Sequence, residues 1–473
     1  MLTRVHLIAL GLVTATMAAG AVSQSAPQSA PSQSATTSFS TSTSHPVKFS
    51  GILDRNAVLL GSDGLARIEL IMAADSRDRV SAVSQPTDLV IVLDRSGSMF
   101  GDKIEQARAA VNQLIAELDA DDRFALVTYS DAASIALPLA SVGREGAAER
   151  AAAIAAIQPD GSTNMSNGLD MAFALIDSNR QAGRVPHVIL ISDGLANAGD
   201  PTPEGLTGRA RRAAIGEYML STVGVGADFN EYLMTAIADA GSGNYHYLRD
   251  TRGLAEVFAR EFDAARETVA SGLAVRIEPA AGVTVVDAAG YPLEPEGGAF
   301  VFRPGSLFSG QERRVWVTLA ARRDAVGEHD LARFALSYTD DAGRRSTLSF
   351  DKAPRIACVD DEAKFLASID VAAWGRSVVV DEYNKMKEEV ARSVKAGERE
   401  RAMYAIGEFR GRTAGMNSKL QSAPVAEQLG RVDKLETDVR AAFEGADQAA
   451  RQNDLSKAAS ADALGARRLG SSK

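Results

Sequence analysis

The chain has 473 residues, too many for one compact core, and its 45% hydrophobic and 24% charged content is that of an ordinary globular protein. The formal net charge of -10 excludes a nucleic-acid backbone as the main partner, because no basic excess exists to release counterions. A single cysteine, Cys358, excludes an internal disulfide; it reads as a small buried hydrophobe, with an intermolecular bridge as the alternative.

Residues 1–22 read as an export signal. Arg4 supplies a positive start, Leu7 to Val13 is almost wholly apolar, and Ala19-Gly20-Ala21 is a small-residue cleavage site. The apolar run is short for a membrane span, so cleavage is expected, with retention as an anchor the alternative. Export points to the periplasm, the cell surface or the medium. Residues 23–46, rich in Ser, Thr, Gln and Pro, are expected to be a disordered linker, since they cannot bury enough apolar area to offset ordering. In residues 47–85, Ala66, Ile68, Leu70 and Met72 alternate as in a strand, and these strands are expected to join a β-domain further along the chain.

Residues 86–265 alternate between strand and helix. The apolar runs at 89–93, 124–129, 188–192 and 221–226 suit parallel strands covered on both faces. Between them, Ile104, Ala107, Val111, Leu114, Ile115 and Leu118 follow helical spacing, as do Leu169, Ala172, Phe173 and Ile176. The fold class expected is α/β with a doubly wound, Rossmann-like sheet. Residues 266–357 return to alternation, with a hairpin turn at 339–344, and predict an antiparallel β-sandwich in which the α/β domain is inserted. Residues 358–473 read as a C-terminal helical region, a hairpin or three-helix unit broken at Gly397 and Pro424. Its apolar stripe of Leu429, Val432, Leu435, Val439 and Phe443 reads as the inner face of a bundle, and its last residues as mobile.

In a doubly wound sheet, ligands bind beyond the carboxyl ends of the strands. Asp94 ends the first strand of this domain and is followed by Ser96, Gly97 and Ser98; Asp193 ends another; Thr163 lies in a Gly-containing loop ahead of a helix. Two carboxylates and three hydroxyls therefore share one sheet edge, with no His or Cys among them. An oxygen-only set favours a hard cation, Mg²⁺ first, then Mn²⁺ or Ca²⁺. Five such donors leave room for water or a foreign carboxylate, so a protein partner presenting Asp or Glu is the ligand expected.

Asp94-Arg95-Ser96-Gly97-Ser98-Met99, then Gly161-Ser162-Thr163-Asn164, then Ser192-Asp193-Gly194 resemble the metal-ion-dependent adhesion site, or MIDAS, of the von Willebrand factor type A family. Residues 222–248 resemble the closing strand and helix of its secreted bacterial and inter-alpha-trypsin-inhibitor heavy-chain branch. The resemblance implies Asp94, Ser96 and Ser98 as first-loop metal ligands, Thr163 as the second-loop ligand and Asp193 as the third. It also implies protein binding without catalysis, and coupling of the site to the last helix, around residues 252–267. Ser162 replaces the Gly usual in the second loop. Asp102 stands alone where a second cation site would need a pair of acids, and reads as a cap of the first helix. Asp131 reads as a loop turn, with an outer partner of the site as the alternative; His187 and His246 read as packed or hydrogen-bonded strand residues, and Tyr245 and Tyr247 as core or rim residues of a strand. Two other functions stay open: a structural component of the cell envelope with this domain as scaffold, and a metal-dependent hydrolase, for which the chain offers no HExxH, no GxSxG and no Cys/His set.

Overall fold

Asp88–Asp94, every residue of it buried, is an inner strand of a six-stranded sheet. The computed structural model describes residues 37–41, 45–76, 86–143, 145–181, 183, 184, 186–226, 228–322 and 324–468. The expected signal over 1–22 and most of the expected linker lie outside these residues. The sheet runs Ser242–Leu248, Met219–Val225, Pro186–Ser192, Asp88–Asp94, Arg123–Tyr129 and Ala133–Ser141. The first five strands are parallel, and the last pairs antiparallel at the edge.

Alternation along Asp88–Asp94 builds both cores. Leu89, Ile91 and Leu93 face a cluster with Ile104 and Val111 from the helix Asp102–Glu117 and Phe258 from the helix Leu254–Arg266. Val90 and Val92 face the other way, onto Leu169, Ala210 and Ile237 of the helices Met165–Ser178, Pro203–Ile215 and Glu231–Ala240. Helices on both faces of a mostly parallel sheet are the doubly wound arrangement. Parallel connections put all the strand-to-helix loops at one edge, where the site is built.

The strands on either side of this domain pair with one another. Leu65–Ala74 lies antiparallel to Glu312–Ala320, from Ala73 opposite Glu312 to Leu65 opposite Ala320. With Ser38–Ser40, Val47–Leu53 and Thr284–Ala288 they make one five-stranded sheet. A second holds Glu294–Glu296, Ala299–Phe308, Thr268–Pro279, Ala332–Asp340 and Arg345–Ser349. Phe49, Ile68 and Leu70 of the first sheet share a core with Val275, Ile277, Phe302 and Leu336 of the second. This is the antiparallel β-sandwich. One expectation is corrected here: Ser38–Ser40 falls in the segment read as linker, yet it pairs with Ser50–Ile52, its Phe39 stacking on Phe350. Cys358 is buried in this core and unpaired, its thiol pushed up by burial and by the nearby Asp324 and Asp360.

The helical region holds four long helices, Tyr383–Lys395, Arg399–Leu420, Ala423–Ala442 and Gln448–Arg468, one more than the hairpin or three-helix unit expected. Its last helix takes in residues up to Arg468 that were read as mobile. Val432, Leu435 and Val439 are buried as the stripe suggested, but Leu429 and Phe443 are only partly covered, and Val425 and Gln428, outside the stripe, are buried. Among the described residues, no helix is long and apolar enough to cross a membrane.

Candidate metal centre

Asp94 and Asp193 are both wholly buried at the carboxyl end of the sheet, and two serine hydroxyls bridge them. The Ser96 N–H donates to Asp94 Oδ1 at 2.8 Å, closing a tight turn after the strand. Ser96 Oγ and Ser98 Oγ are 3.0 Å apart, and Ser98 Oγ donates to Asp193 Oδ1 at 2.6 Å. The remaining oxygen of Asp94 accepts from Ser192 Oγ at 2.8 Å. Gly194 shows where Thr163 stands: a Cβ there would meet Ser98 Oγ at 3.3 Å and Thr163 Oγ1 at 3.6 Å, so both hydroxyls converge on one glycine. Five side chains from three loops thus meet, four in one hydrogen-bonded chain and Thr163 beside it.

The second loop is held by residues outside that set. Asp131 Oδ1 accepts from the Ser162 N–H at 2.9 Å and from its hydroxyl, which holds the Asp131 carboxyl below the usual carboxylate range. Asp131 is therefore a cross-loop brace, the alternative to the local turn expected of it. Gly161, at φ +72°, is required there, because a Cβ would lie 2.6 Å from Asp131 Oδ2. Asn197 Oδ1 accepts from the Thr163 N–H at 2.8 Å and fixes the third loop to the second. Asp102 also differs from expectation. It is the first residue of its helix, its side chain makes no cap bond, and Gly101 holds the cap position.

The donor set suits a cation. All five side chains offer oxygen, which hard divalent ions prefer. Among the described residues no three His, Cys, Asp or Glu side chains cluster as a metal site, so an ion here would rely on the hydroxyls as well as the two acids. Burial pushes the Asp94 carboxyl up to about 6; hydrogen bonds from Ser96 and Ser192 oppose the rise and the nearby Asp193 adds to it. The Lys103 ammonium bonds Asp193 Oδ2 and, at 3.2 Å, the Ser98 carbonyl. A positive charge already stands against the buried acids, as the local field demands.

The profile of the von Willebrand factor type A domain matches residues 88–260, a span that contains all of these groups. Residues 88–260 are a von Willebrand factor type A domain. The chain is 33% identical to the uncharacterized protein YfbK of Escherichia coli (strain K12) over 205 residues, which are 43% of this chain and 35% of that protein. It is 32% identical to human inter-alpha-trypsin inhibitor heavy chain H4 over 161 residues, 33% of this chain and 17% of the heavy chain. The matched stretch is thus well under two thirds of either relative. A solved structure, a von Willebrand factor type A protein from Catenulispora acidiphila, is 18% identical and superposes with a TM-score of 0.67, covering 92% of this chain and 100% of its own. That likeness shows that the fold, sandwich and helical region included, is shared.

Beneath the last helix of the A domain lies a polar cluster that sequence reasoning did not assemble. Glu261, buried on that helix, accepts from His187 at 2.7 Å and Ser221 through Oε2, and from His246 at 2.8 Å and Asn244 at 2.9 Å through Oε1. Burial would raise its carboxyl, but the hydrogen bonds from His187 and His246 outweigh burial and hold it well below the usual range. His187 and His246 belong to this cluster and not to the site at Asp94. Tyr245 is buried, and Tyr247 packs at the rim against Phe229.

Proposed function

We propose that the A domain binds a protein partner through a divalent cation held by Asp94, Ser96, Ser98, Thr163 and Asp193, with Mg²⁺ first and Mn²⁺ or Ca²⁺ as alternatives. The observation that carries this reading is the pair of fully buried carboxylates joined through the Ser96 and Ser98 hydroxyls. Two buried acids so close are costly unless a positive charge accompanies them. Bound there, the ion would supply an open coordination position to a carboxylate oxygen of a partner's Asp or Glu. The two acids of the chain balance a divalent charge, and the Lys103 ammonium leaves the centre with one net positive charge, which attracts an acidic partner. Asp131 and Asn197 hold Thr163 in place while the partner docks. The reading of residues 1–22 as an export signal puts this binding outside the cytoplasm.

A second reading, a structural component of the cell envelope with the A domain as scaffold, is favoured by the helical region, which is bonded to both other parts of the protein. One experiment separates the two. Wild type and Asp94→Ala are used as bait in cell-envelope extract, each in Mg²⁺ and in EDTA. The metal reading expects a protein retained only by wild type in Mg²⁺. The same proteins in all four lanes would reject it in favour of the scaffold.

A further inference from the structure

Two exposed large apolar side chains stand in the site's own loops. Phe100, directly after the first-loop motif, is 81% exposed, the largest fraction for any large hydrophobic side chain among the described residues. Leu195, directly after Gly194 in the third loop, is 56% exposed. Each lies two residues from a member of the Ser98–Asp193 hydrogen bond, so both flank the same centre. Neither is loosely presented. The Phe100 N–H donates to the Gly97 carbonyl at 3.3 Å, ending a short 3-10 turn whose Met99 is wholly buried. Leu195 sits between Gly194, whose N–H donates to Ser192 Oγ at 3.4 Å, and the segment pinned by the Asn197 N–H on the Thr163 carbonyl at 3.2 Å.

We propose that Phe100 and Leu195 are the apolar rim of the binding site, and that the partner is a protein segment whose acidic residue is flanked by large apolar side chains. This rests on the metal-dependent reading above and adds the identity of the neighbours. Apolar contacts around an ion–carboxylate bond keep water from it, and the bond strengthens as the local dielectric falls. A rim of this kind selects by sequence, because a lone acidic residue among polar neighbours gains only the ionic contact. The alternative use of two exposed apolar residues, insertion into a bilayer, is told apart from this one by vesicle binding.

The test uses the full chain and two synthetic peptides, one with a central Asp between Leu and Phe, the other with the same Asp between two Ser. Fluorescence polarisation measures their binding in Mg²⁺ and in EDTA to wild type, to Phe100→Ser/Leu195→Ser and to Asp94→Ala. Calorimetry measures Mn²⁺ binding to each. Both rim residues are exposed, so their replacement leaves the fold intact, and unchanged Mn²⁺ binding verifies this. The expected result is a preference of about tenfold for the apolar-flanked peptide in Mg²⁺, about 1.4 kcal/mol, that disappears in the double variant and in EDTA. Mn²⁺ binding with no flank preference, or a preference that survives the double replacement, overturns the rim. So does binding to phosphatidylcholine/phosphatidylglycerol vesicles that the double replacement abolishes while leaving peptide binding intact. Absence of Mn²⁺ binding in wild type overturns the metal reading and the rim with it.

Discussion

Lys103 decides how the site behaves without an ion. Its ammonium is the positive charge bonded to Asp193, a fully buried acid. Lys103→Met removes that charge and leaves the carboxylate its hydrogen bond from the Ser98 hydroxyl. In EDTA the variant is expected to melt below wild type, by about 1–3 kcal/mol of stability. In saturating Mg²⁺ the gap closes, because the ion would take over the charge. Thermal melts in both conditions check this; a lysine that merely packs would give the same deficit in each. The five proposed ligands were readable because each sits at a strand end or ahead of a helix, where local sequence fixes its position. Lys103 was not, and Asp131 only as the alternative to a loop turn. They act on partners 90 and 31 residues away, and only the folded loops bring these together.

At the scale of elements, the helix Leu254–Arg266 is held to the sheet by Phe258 and its apolar neighbours and by one buried charge. Glu261 gathers His187, Ser221, Asn244 and His246 from three neighbouring strands. Its carboxyl is depressed in the folded state, so the stabilisation is complete above the unfolded value of about 4.3 and is lost as pH falls toward the folded value. Glu261→Gln is expected to cost about 3 kcal/mol at pH 7. That difference from wild type should shrink on acidification below about pH 4.3, as read by urea unfolding across pH. A constant difference down to the acid limit would contradict it. The strands of the sheet were legible where continuous apolar runs marked burial on both faces. The edge strand Ala133–Ser141 was missed because one face is open to water and Pro138 and its serines blur the pattern. The strand Ser242–Leu248 carries no apolar run either, and was legible instead from the alternation of Tyr245 and Tyr247.

The whole molecule is tied together by its helical region. Glu382 pairs with Arg67 at 3.2 Å, and Arg376 with Glu69 at 2.9 Å, joining the helices to the sandwich. On the A domain, the fully buried Glu231 meets Lys395 at 3.1 Å and Ser456 at 3.3 Å, while Lys457 lies 4.1 Å from the Phe229 ring centroid. Glu231→Gln is expected to raise amide exchange in the helix Gln448–Arg468 about tenfold, the loss of one charge-assisted bond, with Mn²⁺ affinity unchanged. Unaltered exchange would mean that apolar packing alone holds the helix. The number of helices was not legible, since Arg399–Leu420 buries only Ala402, Ile406, Phe409 and Thr413 and so shows a sparse stripe. The insertion of the A domain has a mechanical consequence. The chain enters it at the foot of the strand Asp88–Asp94 and leaves after Arg266, whose guanidinium pairs with Asp119 near the foot of the neighbouring strand. The proposed site stands at the opposite pole. Tension applied there runs down the strands and divides between two covalent tethers, so neither link of the anchorage carries the whole pull.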